Sequence, residues 1–224
     1  MGDARVCVVM ATVKPDRAQA ASKAWHDAGY RMVVVQDEGT TPFTNNPTLI
    51  GPYQGVWKAT NAMSLFALEL GAEICVFAGD DMTPDPGKTA AEIGAEYLQK
   101  FPTGLGVMQP CGDPQGKDGA GKPAAARIAG SAWFGKEWIK RAYRGLGPTD
   151  GRYWHFYGDE SLARVAEKLG LMWWRPDLTQ MHLHWSWGHT KREDYHAKNQ
   201  KHWLDDQTLF RESEAKGFPE GELL

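Results

Sequence analysis

The sequence is poor in cysteine, with three in 224 residues (Cys7, Cys75, Cys111), so no disulfide framework can carry the fold. Cys7 and Cys75 fall inside apolar runs, which predicts core thiols in a reduced, cytoplasmic protein. No apolar run approaches the ~18–20 residues that cross a bilayer. The opening Met1-Gly-Asp-Ala-Arg-Val-Cys7 lacks the basic region and apolar core of a secretory signal, and Val6 stands where myristoylation needs Ser or Thr. Charge of either sign is not in excess: 25 Lys and Arg face 28 Asp and Glu, a net −3 that gives no global drive toward nucleic acid or anionic membrane. There is no internal repeat. What is abundant is tryptophan, with ten residues. Some indoles fill a core, but their faces also pack against sugar rings and bases, so the bias favours a ring-shaped ligand.

The first ninety residues alternate between strand-like and helix-like segments. Residues 5–12 (RVCVVMAT) and 31–36 (RMVVVQ) are short β-branched runs bounded by polar residues, and 74–78 (ICVFA) is a third. Between them lie an Ala-rich helix opened by Pro15 and closed by Gly29, and a helix over 56–70 closed by Gly71. Two βα units feeding a third strand predict right-handed crossovers and a parallel sheet, whose ligands gather at the carboxyl ends of the strands. Those ends carry Thr12, Asp37 and Asp80-Asp81. The second half is less regular. Helices are expected over 90–100, 136–143, 160–169 and 194–214, and strands over 106–109, 128–134, 171–174 and 180–185, with a Gly/Pro/Lys loop over 111–125. The whole reads as one α/β domain.

Several groups of residues invite a chemical reading. Gly116 to Lys122 has the G-x-x-x-x-G-K spacing of a phosphate-binding loop, but Pro123 replaces the hydroxyl residue and no helix follows, so a basic surface loop accounts for it better. Asp80 and Asp81 are adjacent carboxylates at the tip of a buried strand; a divalent cation would remove their repulsion, and a polar turn is the plainer alternative. His182-Leu-His184 puts two imidazoles on one face if the segment is extended, either a metal pair or part of a Trp-rich patch. Asp159-Glu160 precedes a helix and follows the aromatic run Tyr153 to Tyr157; it is a cap or a general base beside a ring platform. Residues 122–152 carry seven Lys or Arg against two acids, and 189–202 a second basic group, either of which is a solvated face or a phosphate contact.

In this order the pieces resemble a GT-A fold glycosyltransferase, most like the family-2 inverting enzymes that use nucleotide sugars. The resemblance spans about residues 6–187. Val8 to Thr12 is similar to the family's opening nucleotide-binding strand. Val33 to Thr41 (VVVQDEGTT) is similar to its apolar run ending in Asp-Asp-Gly-Ser-Thr, with Asp37 in place of the base-reading carboxylate. Residues 55–81 resemble its helix with an Arg-Asn pair, here Thr60-Asn61, then a strand ending in Asp-x-Asp. Gly79 stands where the first Asp belongs, and Asp81 keeps the metal-binding place. Residues 129–135 (AGSAWFG) resemble the strand facing donor sugar and acceptor. Gly158-Asp159-Glu160-Ser-Leu162 is similar to the family's Glu-Asp-x-x-Leu, which puts the catalytic base on Asp159 with Glu160 in competition. His182-Leu-His184 sits where the family places its metal-binding histidine.

The resemblance implies a Rossmann-like, mostly parallel central sheet flanked by helices in a single domain, with 1–110 the nucleotide-binding half, 111–190 the acceptor and catalytic half, and 191–224 a lid and C-terminal helix. It also implies transfer of a hexose-like sugar from a nucleoside-diphosphate sugar to an acceptor hydroxyl with inversion. Mn²⁺ or Mg²⁺ would be held by Asp81, with His182 or His184, and Asp80 beside it. Thr12, Asp37, Asn61, Asp80, Lys191 and Arg192 would meet the donor, and Trp133, Trp154 and Tyr157 would stack on sugar or acceptor. The acceptor is left open: a glycan or lipid precursor, a protein, or a hydroxylated DNA base. Two other classes stay open. A sugar-phosphate nucleotidyltransferase would want a Gly-rich basic loop after the first strand, where Ala11 to Arg17 has no glycine. A non-catalytic nucleotide-sugar-binding module is the third.

Overall fold

The computed structural model of the chain describes residues 5–113, 127–184 and 194–218. Its centre is a seven-stranded sheet in the order β3-β2-β1-β4-β7-β6-β8. The strands are β1 (Val6–Ala11), β2 (Arg31–Asp37), β3 (Thr48–Gly51), β4 (Ile74–Gly79), β6 (Val107–Pro110), β7 (Trp133–Gly135) and β8 (Met172–Arg175); all run parallel except β7. A separate two-stranded ribbon pairs β5 (Met82–Thr83) with β9 (Met181–His182), antiparallel, with Met82 opposite His182.

β1 and β4 are apolar at almost every position because both faces of the sheet are covered. Val6, Val8 and Met10 point to one side, against Trp25 of α1 (Pro15–Asp27) and Ile93 and Tyr97 of α3 (Ala90–Lys100). Cys7 and Val9 point to the other. There they meet Met63 of α2 (Val56–Glu69), Trp138 of α4 (Lys136–Arg141) and Leu162 of α5 (Gly158–Lys168). Two further helices, α6 (Asp194–Gln200) and α7 (Trp203–Ala215), follow, and Phe210 of α7 joins the second layer. Trp25, Trp57, Trp133 and Trp138 are buried in these layers, so much of the tryptophan excess serves packing. No described helix is long and apolar enough to cross a membrane.

The chain steps from β1 outward to β2 and β3, then returns through α2 to β4 on the opposite side of β1. The direction of winding reverses between β1 and β4, and the crevice above their carboxyl ends is where such sheets take ligands. The expected mixed α/β sheet is therefore present, and it draws strands from both sides of residue 110.

Several second-half expectations are corrected. The strand expected over 128–134 is only Trp133–Gly135, because Ala129 N–H donates to the Asp159 carbonyl (3.1 Å) instead of joining a ladder. That expected over 180–185 shrinks to Met181–His182, since the His184 N–H turns back to the His182 carbonyl at 2.8 Å. The single C-terminal helix is two. Strand β3 lies between β2 and α2, where the sequence predicts no strand: its Pro, Asn and Gly neighbours mask a four-residue edge strand, whose partner β2 aligns Val34 with Thr48.

Candidate active site

At the reversal point the carboxyl ends of β1 and β4 are tied together. Thr12, just after β1, donates its hydroxyl to Asp80 Oδ2 at 2.8 Å. Arg17, in the first turn of α1, lies 2.5 Å from Asp80 Oδ1 and 3.4 Å from Asp81 Oδ2. His182 Nε2, at the end of β9, sits 3.3 Å from Asp81 Oδ1. All four carboxylate oxygens are thus engaged, each by a different contact. The ribbon that delivers His182 is pinned at several points. Trp25 donates its indole N–H to the Met82 carbonyl (3.2 Å), Leu183 N–H to the Asp81 carbonyl (2.8 Å), and His182 N–H to Asp113 Oδ2 (3.1 Å).

The electrostatics differ within the pair. Burial raises Asp80, and Asp81's charge adds to the rise, although Arg17 and the Thr12 hydroxyl oppose it. Burial pushes Asp81 the same way, but the hydrogen bond and charge of His182, then Arg17, leave it below the ordinary value. The His184 ring lies 4.9 Å from that of His182. Burial, then the His182 charge, lowers it to about 4, so it is a neutral imidazole near pH 7. Gly79 is explained by the same cluster: a Cβ there would meet Asp81 Oδ1 at 2.6 Å, so a side chain at 79 would crowd the Asp81 carboxylate.

A second carboxylate faces the cluster. Asp159 lies in the first turn of α5, half-buried, with Oδ1 accepting from the Glu160 N–H at 2.9 Å. Burial, reinforced by the Glu160 charge, raises Asp159 to about 6, while the charge of His182 pulls the other way. Asp159 is not the helix cap. That position is Tyr157, in the left-handed region at φ 61°, with no side-chain cap bond. Gly158 has a packing reason: a Cβ there would lie 2.3 Å from the Trp57 indole, so the carboxylate that the resemblance expects at 158 has no room. The aromatic run is clamped from behind. Asp206 of α7 accepts from the N–H groups of Trp154 (2.8 Å), His155 (2.9 Å) and Phe156 (2.8 Å). Trp57 donates its indole N–H to the His155 carbonyl at 3.1 Å.

The other expected residues divide. Asp37 is exposed at the end of β2, at the rim of the same crevice. Asn61 is buried in α2, its amide spent on Thr149: it donates to the Thr149 carbonyl (2.9 Å) and accepts the Thr149 hydroxyl (2.7 Å). Trp133 is 1% exposed and donates to Gln180 Oε1, so it offers no face to a ligand; sequence periodicity alone does not separate a core indole from a platform. Trp154 is stacked on His202 with ring centres 4.1 Å apart, and the Tyr157 hydroxyl accepts from Gln207 at 2.8 Å. Lys191, Arg192 and the Gly116–Lys122 motif lie outside the described residues. Sequence reasoning does not single out Arg17, Asp113 or Gln180. Arg17 does carry a signal, being a cation at a helix N-terminus, where the macrodipole disfavours it unless a carboxylate compensates. The cysteines are no nucleophiles, since burial pushes the Cys7 thiol up to about 12 and Cys75 and Cys111 in the same direction.

Among the described residues no three His, Cys, Asp or Glu side chains converge as a ready metal cage. Asp81 and His182 do fit one side of such a site: a hard oxygen and an imidazole nitrogen face each other, and a cation already lies against the carboxylates. Two protein ligands suit an ion that takes its remaining ligands from substrate phosphates.

No family model matches the chain, and no curated protein does. Among solved structures it is similar to a glycosyltransferase involved in glycosylation of the major capsid of PBCV-1, at 9% identity over 60% of this chain and 61% of that one, with a TM-score of 0.31. It is also similar to a protein assigned as a nucleotide-diphospho-sugar transferase from Desulfovibrio desulfuricans, at 11% identity over 96% of both chains and a TM-score of 0.40. A third is a mannose-1-phosphate geranyltransferase from Thermus thermophilus, at 13% identity over 74% of this chain and 64% of that one, with a TM-score of 0.38. The chain spans less than two thirds of the first and third of these. Likeness of this size leaves the functional argument to the chain's own residues.

Proposed function

We propose that the protein is a glycosyltransferase of the GT-A type, moving a sugar from a nucleoside-diphosphate sugar to an acceptor hydroxyl with inversion at the anomeric carbon. The observation that carries this is the meeting of two unlike acidic groups at the β1/β4 reversal point. Asp80 and Asp81 are held there by Arg17 and His182, and Asp159, raised to about 6, lies within electrostatic reach of His182.

Breaking a sugar–diphosphate bond puts negative charge on the leaving diphosphate. A divalent ion held by Asp81 and His182 would supply Lewis-acid stabilisation of that charge. Thr12 holds Asp80, and Asp113 holds the His182 backbone, so both arms are fixed before substrate arrives. Asp37 at the rim is the candidate contact for the nucleobase. Asp159 would take the proton of the attacking hydroxyl, and a value of about 6 leaves it ionised at pH 7 yet basic enough to accept. Attack from the side opposite the leaving group inverts the centre. Lys191 and Arg192 are proposed to add positive charge near the diphosphate. The test is incubation with a panel of nucleotide sugars and Mn²⁺, reading release of nucleoside diphosphate. Release from at least one donor is expected; binding without release from any donor would favour a non-catalytic module.

A further inference from the structure

Arg17 spans the two strand-end carboxylates, 2.5 Å from Asp80 Oδ1 and 3.4 Å from Asp81 Oδ2, and the proposed reaction assigns it no task. We propose that Arg17 is a resident counter-cation that diphosphate and metal displace together, which makes their binding cooperative; this rests on reading the site as one for a nucleoside diphosphate.

Asp80 Oδ1 and Asp81 Oδ2 face Arg17, Asp80 Oδ2 holds the Thr12 hydroxyl, and Asp81 Oδ1 faces His182. The carboxylate side chains are only 11% exposed and that of Arg17 22%, so water screens these contacts poorly. A divalent ion arriving alone must take an oxygen from the guanidinium and then sit beside it, cation against cation. It also finds few protein ligands, since among the described residues no three converge. A diphosphate arriving alone meets two carboxylates of its own sign, with the guanidinium turned toward them.

Arriving together, each removes the obstacle to the other. Diphosphate oxygens give the guanidinium a bidentate partner of opposite charge, which draws it off the carboxylates. The freed Asp81 oxygen and the diphosphate then complete the ion's shell. Both ligands favour the same displaced state of one side chain, so the coupling is reciprocal: each tightens the other by the same factor. The device also keeps a bare ion from settling permanently in the site between turnovers.

Calorimetric titration of the whole chain tests this with Mn²⁺ alone, with UDP, GDP, CDP, ADP and dTDP in EDTA, and with Mn²⁺ plus each saturating nucleotide. In the wild type, the best nucleotide is expected to tighten Mn²⁺ at least tenfold. In Arg17→Gln, Mn²⁺ alone should bind at least tenfold tighter than to the wild type, and nucleotide should add less than threefold. Arg17→Lys keeps the positive charge, but one ammonium group does not span both carboxylates as a guanidinium does, so it should fall between. A folded Arg17→Gln protein binding Mn²⁺ no tighter than the wild type, or keeping the full coupling, would overturn the inference; so would an Arg17→Lys variant indistinguishable from the wild type. If none of the five nucleotides binds the wild type in either condition, the reading as a nucleotide site falls. The Mn²⁺-only comparison still judges Arg17.

Discussion

Two pairs of adjacent acids each have one member that feels the charge of His182, and those members, Asp81 and Asp159, are driven in opposite directions, while Asp80 is raised as Asp159 is. At the end of β4, Asp80 and Asp81 are tied to Arg17 and His182, and Asp81 stays below its ordinary value against the pull of burial. At the start of α5, burial and the Glu160 charge prevail, and Asp159 rises to about 6. Sequence shows the same two letters, or nearly so, in both places. Neighbours decide the chemistry: a carboxylate held ionised beside a guanidinium and an imidazole suits keeping charge in place, and one poised near neutrality suits moving a proton.

The comparison breaks most sharply at Asp159. Asp159→Asn should lower turnover by ~10²–10⁴, the usual worth of a positioned base, with nucleotide affinity almost unchanged; Glu160→Gln should cost far less. Equal losses at both positions in steady-state assays would mean that the wrong carboxylate was chosen. Next in size is the clamp behind this second pair. Asp206→Ala leaves three backbone N–H groups without their carboxylate, and should cost about 3 kcal/mol in denaturant titrations and reduce turnover, while the nucleotide affinity set by the first pair holds.

Asp81→Ala should remove at least a tenfold share of the Mn²⁺-dependent tightening of nucleoside diphosphate; calorimetry giving equal affinity with Mn²⁺ and with EDTA in the wild type would refute the metal's role. A base must be unprotonated to act, so kcat/KM should fall about tenfold per pH unit below about 6 and level off above it. The smallest effect is on stability. Asp159 binds its proton more tightly folded than unfolded, so its contribution is full below about pH 4 and is lost as pH rises through about 6. Asp159→Asn should therefore melt higher than the wild type at pH 7, and the difference should vanish near pH 4. A helix cap would give the opposite sign at neutral pH.

How much of this was legible follows from range. Strands β1, β2 and β4 were readable because both faces of the sheet demand unbroken apolar runs, and α1 and α2 because Pro15, Gly29 and Gly71 mark their ends. The strand-end acids were readable because Asp is poorly suited to such a strand. In the irregular half α3, α4, α5, β6 and β8 were readable, but the segments between them were not, since their backbone groups find partners far along the chain: Asn61 with Thr149, Asp206 with Trp154 to Phe156. Trp133 and Trp154 look alike in sequence, yet one is sealed against Gln180 and the other lies partly open beside His202. The two missing acids of the resemblance, at 79 and 158, are explained only in three dimensions, by Asp81 and by Trp57.

The grip of Asp206 on residues 154–156 sets an order of events during synthesis. Strands β1 to β4 and their helices emerge from the ribosome first and can pair as they appear. The loop that launches α5 stays without its anchor until a residue fifty positions later has been made. A nascent or truncated chain ending before α7 would hold the strand-end acids but lack the anchored launch of α5, and so the placement of Asp159. The anchored position of Asp159 is then the last to form, once α7 has been made.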